Sequence, residues 1–215
     1  ISGMVPRISF NRLNSRLPVV LSQQEVSRLL SACGSLRYRT LFTLIYSAGL
    51  RISEAANIRL TDIDFDRRQI FIRCGKNGKD RYTILAERTI TQLEAYLQVY
   101  NPVTYLFYQK YDNQLRITKD SIHKYFNRAV AECGLSKAVH VHTLRHSFAT
   151  HLMENGTNLF HIMHLLGHTN IRTTLVYLHM RQPADLNITS PIDLDRFQPP
   201  SPLISGPGEL SLVPA

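Results

Sequence analysis

Histidines are concentrated in one short part of this 215-residue sequence. Eight of the nine lie within residues 140–179, an interval in which Glu154 is the only carboxylate. His142 and His146 are spaced to share one face of a helix, a common arrangement of metal ligands. Arg145 lies inside that pair, however, and puts a fixed positive charge where a divalent cation needs negative ligands. The interval therefore favours a bound anion over a metal ion.

A phosphodiester is an anion whose chemistry suits these side chains. Attack on its phosphorus builds a crowded phosphorane with negative charge on two non-bridging oxygens. The permanently charged, forked donors of arginine match such oxygens, and imidazoles can donate hydrogen bonds and move protons near neutral pH. A hydroxyl nucleophile and a general acid for the leaving 5′ oxygen would complete the set.

The overall charge agrees with a nucleic-acid partner. Lysine and arginine number 25 against 16 acidic residues, which gives a net charge of +9 with histidine neutral. Such an excess is typical of proteins that displace counterions from a phosphate backbone, although a merely basic soluble protein would show it too. The hydrophobic content of 44% is enough for one well-buried core, so we expect one principal domain.

Periodic apolar residues predict that most of this domain is helical. Ser22 and Glu25 have the spacing of a capping box, and the helix that they open is expected to end at Gly34. Further helices are predicted at about residues 36–47, from about residue 53, and at 87–100, 119–133, 143–154, 159–166 and 172–180.

Two β-prone runs interrupt the helices. They are residues 70–72 and 82–85, and Asn77-Gly78 between them is a pair favoured in tight hairpins. We therefore predict a mainly α-helical fold with a small antiparallel β-sheet, of the α+β class.

The two ends of the sequence differ from this middle part. Residues 1–16 are expected to be a linker or stub, and residues 17–182 the principal domain. Residues 183–215 are expected to form an extended or disordered tail, because six of the ten prolines lie in the last 25 residues.

The cysteines and the apolar segments bear on the compartment. Cys33, Cys74 and Cys133 are a sparse and odd set, which suggests a reduced, cytoplasmic setting. The most apolar stretch, residues 41–50, is far shorter than the ~20 residues that a membrane-spanning helix needs. We therefore expect no association with a membrane.

Five stretches resemble the tyrosine recombinases, the family of the phage integrases, and they occur in that family's order. AGLRISE at 48–54 is similar to the first arginine box, HTLRH at 142–146 to the His-x-x-Arg box and LLGH at 165–168 to the Leu-Gly-His box. TTLVY at 173–177 is similar to the segment that bears the nucleophile, and GKNGKDR at 75–81 to a hairpin that brings a lysine to the cleaved strand. The resemblance implies the tyrosine recombinase catalytic-domain fold.

The resemblance also implies roles for individual residues. Arg51 and Arg145 would bind the non-bridging oxygens of the scissile phosphate, and His168 would add a hydrogen bond. Tyr177 would attack the phosphorus and form a 3′-phosphotyrosyl bond, with His142 helping to remove its proton. A 5′ hydroxyl from another duplex would then resolve this bond, which is recombination.

The remaining residues of the boxes have less direct roles. Lys76 would protonate the leaving 5′ oxygen because it follows Gly75 as the family's lysine follows a glycine, with Lys79 as the alternative. Glu54 would orient its neighbours rather than catalyse, or be simply the helical partner of Arg51. The remaining polar residues of the His-x-x-Arg segment, His146, Ser147 and His151, are interpreted as surface or core residues without a chemical role.

The resemblance further implies partners. These are double-stranded DNA recombination sites and other copies of the chain, as a dimer or tetramer on DNA, with room for accessory DNA-bending proteins. No cofactor and no metal are expected, because cationic side chains take the place of a magnesium ion. Two other functions share these residues: a type IB topoisomerase, which religates the same strand, and a DNA-binding module with idle cleavage residues.

Overall fold

The computed structural model describes residues 18–73, 80–168 and 170–177, with the side chain of Arg172 excepted. These residues belong to the first of the two units into which the chain divides, Ile1–Gln182; the second is Pro183–Ala215. Three sequence predictions lie outside the described residues: the stub at 1–16, the hairpin turn with Lys76 and Lys79, and the proline-rich tail.

The described chain is mainly helical with small antiparallel sheets, which confirms the predicted fold class. The helices are α1 Gln23–Ser31, α2 Leu36–Ala48, α3 Ile52–Asn57, α4 Glu87–Tyr100, α5 Lys119–Cys133, α6 Val141–Glu154, α7 Leu159–Leu166 and α8 Arg172–Leu175. The strands are β1 Ile63–Asp64, β2 Gln69–Ile72, β3 Arg81–Ile84, β4 Tyr108–Gln109 and β5 Asp112–Arg116.

Local signals explain where several helices begin and end. The predicted capping box is present: the Ser22 hydroxyl accepts from the backbone N–H of Glu25, whose carboxylate accepts from the backbone N–H of Ser22. Thr118 caps the start of α5, and Gly134 ends that helix in the left-handed conformation. These caps agree with the helix bounds that the sequence predicts for α1 and α5 to within a few residues.

Strands β1, β2 and β3 form one antiparallel sheet in that order. Ile70 pairs with Thr83 and Ile72 with Arg81, and all four of these side chains are buried on the same face. An arginine on the buried face of a short strand requires a buried partner, and this one has Glu54. The sheet therefore delivers a charged side chain to the interior.

Helix α2 runs through the main core, and most of its apolar residues are almost completely buried, on several faces of the helix. A smaller apolar cluster joins α6 and α7 to the last described residues, and it contains Phe148, Ile162, Leu166 and Tyr177. The ring of Tyr177, at the end of the described residues, therefore packs into this second cluster and not into the main core.

Three elements differ from the sequence predictions, and the first is the two-residue strand β1, which no β-prone run had indicated. The β4–β5 hairpin was not predicted because its strands are short and β5 is exposed throughout, so it lacks an alternating apolar pattern. Helix α8 ends at Leu175, and Val176 and Tyr177 are in a turn, whereas the pattern had predicted a helix through this segment. None of the helices within the described ranges combines the length and apolar character needed to cross a bilayer.

Candidate active site

The turn between α2 and α3 positions Arg51. Gly49 ends α2 with φ of 64°, and a Cβ at this position would lie 2.5 Å from the ring of Phe148. Only glycine fits such a turn without strain or displacement. The close approach lets the Gly49 carbonyl accept a hydrogen bond from Arg145 Nη1, while Arg51 becomes the N-cap of α3. One tight turn therefore links the two arginine boxes.

Glu54 is a buried carboxylate surrounded by three arginines. Its oxygens accept two parallel hydrogen bonds of 2.8 Å from Arg81, and Oε1 accepts one of 2.7 Å from Arg51. Arg145 Nη1 lies 3.6 Å from Oε2. Burial alone would raise the pKa of Glu54, but Arg81, the backbone N–H of Arg51 and the charge of Arg145 outweigh it and lower the pKa to about 2. Glu54 is therefore ionised at neutral pH.

The same three arginines also meet the end of α7. Arg81 Nε donates to the carbonyl of Leu165, Arg145 Nη2 to that of Leu166 and Arg51 Nη2 to that of Gly167. The last carbonyls of a helix have no partner within the helix and carry the negative end of its dipole. Three guanidiniums from α3, β3 and α6 thus converge on three consecutive carbonyls.

His168 follows this helix end directly. Its Nε2 lies 3.3 Å from Arg145 Nη2, and its Nδ1 lies 2.8 Å from the hydroxyl of Thr174. A guanidinium can only donate, so Nε2 is the acceptor in this contact. Nδ1 therefore carries the proton and donates to Thr174, whose side chain is completely buried.

Tyr177 is 2% exposed, and its hydroxyl lies 3.0 Å from Nδ1 of His146. Burial raises the pKa of the Tyr177 phenol, while the charges of Arg145 and Arg51 act in the opposite direction. Burial and the neighbouring His142, His140 and Arg145 lower the pKa of His146 to about 4, so its imidazole is neutral near pH 7. A neutral imidazole can accept the hydrogen bond of the phenol.

One pocket brings together most of the residues singled out in the sequence. Its lining includes five of the six predicted catalytic residues: Arg51, His142, Arg145, His168 and Tyr177. His146, Gly167, Thr173 and Val176 complete the lining. Lys76 and Lys79 lie outside the described residues, and Glu54 lies behind the arginines.

His142 and His146 lie one turn apart on α6 and differ in their surroundings. The side chain of His142 is exposed, but the neighbouring protein partly desolvates it and, together with the charge of Arg145, lowers its pKa. His146 is half-buried and contacts the Tyr177 hydroxyl, a contact that the sequence interpretation had not assigned to it. Ser147 and His151 are buried and hydrogen-bonded within the core, to the Thr143 carbonyl and the Tyr46 hydroxyl respectively.

Arg81 and Thr174 were also missed as partners of the site. Both lie inside quoted motifs, GKNGKDR and TTLVY, without a role of their own. A weak signal for Arg81 existed in the strand pattern, because it is in phase with the inward-facing Thr83. Nothing in the sequence indicated that Glu54 would be its partner.

Comparisons with known proteins identify the family. The sequence model of the phage integrase family matches residues 19–183. A tyrosine recombinase of Thermosipho africanus is 37% identical over 188 residues, which are 84% of this chain and 65% of the relative. The tyrosine recombinase XerA of Pyrococcus horikoshii is 34% identical over 168 residues, 77% of this chain and 58% of the relative.

Solved structures give the same result. The crystal structure of XerA recombinase matches with a TM-score of 0.71 at 30% identity, over 80% of this chain and 64% of that one. The XerH site-specific recombinase bound to its difH substrate matches with a TM-score of 0.66 at 27% identity, over 76% of this chain and 51% of that one. The chain belongs to the phage integrase family of tyrosine recombinases. It spans about three fifths of the length of the curated relatives that it matches.

Proposed function

We propose that residues 17–182 are the catalytic domain of a site-specific DNA recombinase that cuts and rejoins double-stranded DNA through Tyr177. The observation that carries this proposal is the convergence of Arg51, His142, Arg145, His168 and Tyr177 on one pocket, although they come from distant parts of the chain. Such a set combines donors for phosphate oxygens, a base and a nucleophile.

In this proposal Arg51 and Arg145 bind the non-bridging oxygens of the scissile phosphate. Both are already held by carbonyls and by Glu54, so they need little reorganisation when charge develops on the phosphorane. His168 joins them as an imidazolium in the DNA-bound state: Nε2 must gain a proton to donate to a phosphate oxygen, while Nδ1 still donates to Thr174. Glu54 orients the arginines and does not itself touch the DNA.

Tyr177 forms the new bond. Its oxygen attacks phosphorus, and the phenolic proton passes to an imidazole. The resemblance to the family gives that role to His142, while the 3.0 Å contact supports His146 as the acceptor in the state described here. The base is therefore one of two histidines on the same face of α6, and their variants separate them.

The bond between phosphorus and the 5′ oxygen then breaks. Lys76 is proposed to give its ammonium proton to the departing 5′ oxygen, with Lys79 as the alternative; both assignments rest on the family's hairpin motif. The products are a 3′-phosphotyrosyl bond and a free 5′ hydroxyl. Attack by a 5′ hydroxyl of a second duplex releases Tyr177 and joins the new strand, which requires at least two protomers on DNA.

The proposal extends to the cellular setting. Homologous recombinases bind DNA in their solved complexes, so we propose that this chain is a DNA-associated protein of the cytoplasm that assembles as a dimer or tetramer on its recombination sites. Accessory DNA-bending proteins would act on the sites rather than on the chemistry.

The test uses a nicked duplex whose site is first selected from a random-sequence pool by binding to the chain. Wild-type protein should form a covalent adduct that peptide mass spectrometry maps to Tyr177. Tyr177→Phe should lower adduct formation by more than about 10⁴-fold while binding the same DNA. Tyr46→Phe is the matched control, because it removes another tyrosine hydroxyl that is hydrogen-bonded to a histidine of α6.

Three outcomes would contradict the proposal. Binding without any adduct in the wild type would leave a DNA-binding module. An adduct that persists in Tyr177→Phe would mean a different nucleophile. Relaxation of supercoiled DNA without strand exchange between paired sites would favour a type IB topoisomerase.

A further inference from the structure

Arg81 is the one arginine of the buried cluster that does not line the pocket. Its side chain is 5% exposed and forms a forked pair with Glu54, both of whose oxygens it binds at 2.8 Å. Its Nε binds the Leu165 carbonyl at 2.9 Å. Burying a charged side chain this deeply is unfavourable unless it is paired, and equally large apolar residues would fill the same volume. Stability alone therefore does not explain why an arginine is buried at position 81.

The fit of Arg81 against the end of α7 is close. A Cβ on Gly167 would lie 2.9 Å from Arg81 Cδ and 3.1 Å from Nε and Nη1. Gly167 adopts φ of 62°, so a side chain here is disfavoured for two separate reasons. The glycine of the Leu-Gly-His box thus makes room for Arg81, immediately before His168.

Arg81 also adds to the positive charge around the pocket. Arg51, Arg81 and Arg145 together with the ionised Glu54 give a net charge of +2 at and behind the wall of the pocket. Without Arg81 the net charge would be +1, and the Glu54 carboxylate would be shared by Arg51 and Arg145 alone. A phosphorane gains negative charge relative to the phosphodiester, so it would lose more stabilisation than the ground state would.

We propose that Arg81 is a positioning residue of the cleavage reaction, which engages both oxygens of Glu54 and the end of α7 and so keeps Arg51 and Arg145 directed at the phosphate. This inference rests on the proposed function. It assigns a role in phosphate recognition to a strand residue that does not itself line the pocket.

The experiment measures single-turnover adduct formation on the selected nicked duplex with three variants. Arg81→Gln removes the charge, Arg81→Lys keeps the charge without the fork, and Arg128→Gln removes an exposed charge that is paired with Glu132. We expect the rate to fall by about 10² for Arg81→Gln and about 10 for Arg81→Lys, with the half-saturating DNA concentration shifted no more than in Arg128→Gln.

A second substrate separates positioning from a loss of folded protein. A methylphosphonate at the scissile position removes one negative charge from the phosphate, so a charge-deficient pocket is penalised less. The deficit of Arg81→Gln should shrink to about 10-fold or less on this substrate. A deficit of equal size on both substrates would mean that Arg81 merely supports folding, and it would overturn the inference, because unfolded protein lowers both rates alike.

A third substrate tests the alternative route through the hairpin. A 5′-bridging sulfur gives a leaving group that needs no proton, so it relieves defects in the general acid. Relief of the Arg81→Gln defect on the sulfur substrate, without relief on the methylphosphonate substrate, would overturn the inference.

Absence of an adduct in the wild type would contradict the proposed function, whereas wild-type rates in both Arg81 variants would contradict this inference alone.

Discussion

Helix α6 carries two histidine–tyrosine hydrogen bonds that are nearly alike in geometry. His146 Nδ1 lies 3.0 Å from the Tyr177 hydroxyl, and His151 Nδ1 lies 2.9 Å from the Tyr46 hydroxyl. The ring centroids are 6.0 Å and 5.8 Å apart, respectively. Judged by contact alone, either tyrosine would be an equally good candidate for an activated nucleophile.

The charges around the two phenols are opposite. Burial raises the pKa of both, but Glu154 raises that of Tyr46 further, whereas Arg145 and Arg51 act to lower that of Tyr177. A phenolate is therefore favoured beside the arginines and disfavoured beside the carboxylate. The hydrogen bond to a histidine does not define the candidate active site; the buried arginines do, and Glu54 holds those arginines.

Removing the charge of Glu54 should disrupt the arginines beside Tyr177 and leave Tyr46 unaffected. Among the substitutions, we expect it to have the largest effect on stability. Glu54→Gln leaves Arg81 as a buried charge without its carboxylate partner, so we expect the free energy of unfolding to fall by roughly 3–5 kcal/mol. Chemical denaturation at pH 7 measures this loss. Glu132→Gln is the matched control, because Glu132 pairs with an exposed arginine, and it should cost less than about 1 kcal/mol.

The stability of the wild type and of Glu54→Gln should also depend differently on pH. The folded-state pKa of Glu54 is about 2, below its ordinary value of 4.5. Its ionisation therefore contributes stability that is present above about pH 4.5 and is lost as the pH falls toward 2. The stability difference between wild type and Glu54→Gln should narrow over that window. If Glu54→Gln lost no more free energy of unfolding at pH 7 than Glu132→Gln does, the role assigned to Glu54 would be contradicted.

Local sequence signals predicted most of the helices and the boxes but not the links between them. Helix α5 was predicted to the residue because its apolar stripe and Gly134 both act within a few residues of chain. Glu54 was expected to orient its neighbours, but helical spacing indicated only Arg51 as a partner, because Arg81 is 27 residues away on a strand. Arg81 lies in the hairpin motif that precedes the predicted strand at 82–85, so the pattern did not predict that its side chain is buried.

The contact between His146 and Tyr177 was missed for a different physical reason. The two residues are 31 positions apart in the chain, and Tyr177 follows the end of helix α8. Periodicity places His142 and His146 on one face of α6, but it does not determine which of them a distant side chain contacts. That choice depends on the tertiary packing of the segment after α8, which no local signal encodes.

The substitution His146→Asn compares the His146–Tyr177 pair with the His151–Tyr46 pair, and we expect an intermediate effect on the rate. His146→Asn keeps a hydrogen-bond acceptor near Tyr177 but removes the base, so adduct formation should slow by about 10²-fold. His151→Asn changes the other pair in the same way and should leave the rate per folded molecule unchanged. The pKa of His146 is about 4, so the wild-type rate should be lost as the pH falls through that value.

His142→Asn decides between the two bases. If the phenolic proton passes to His142, that variant should show the larger loss of rate, and His146→Asn should affect stability alone. This outcome would contradict the assignment from the 3.0 Å contact. Single-turnover rates of the three variants, each normalised to its folded fraction, give the answer.

The smallest expected effect concerns Thr174, whose hydroxyl accepts from His168 beside the arginines. Thr174→Val removes the acceptor for the Nδ1 proton, so the ring orientation that directs Nε2 toward the pocket loses about 1 kcal/mol of support, which corresponds to about a fivefold lower adduct rate. Thr89→Val is the matched control: it deletes a buried hydroxyl that bonds to Ser47 outside the pocket. It should cost similar stability and leave the rate unchanged. Nitrogen NMR of His168 reports the tautomer directly, and a proton found on Nε2 in the DNA-free wild type would contradict this role.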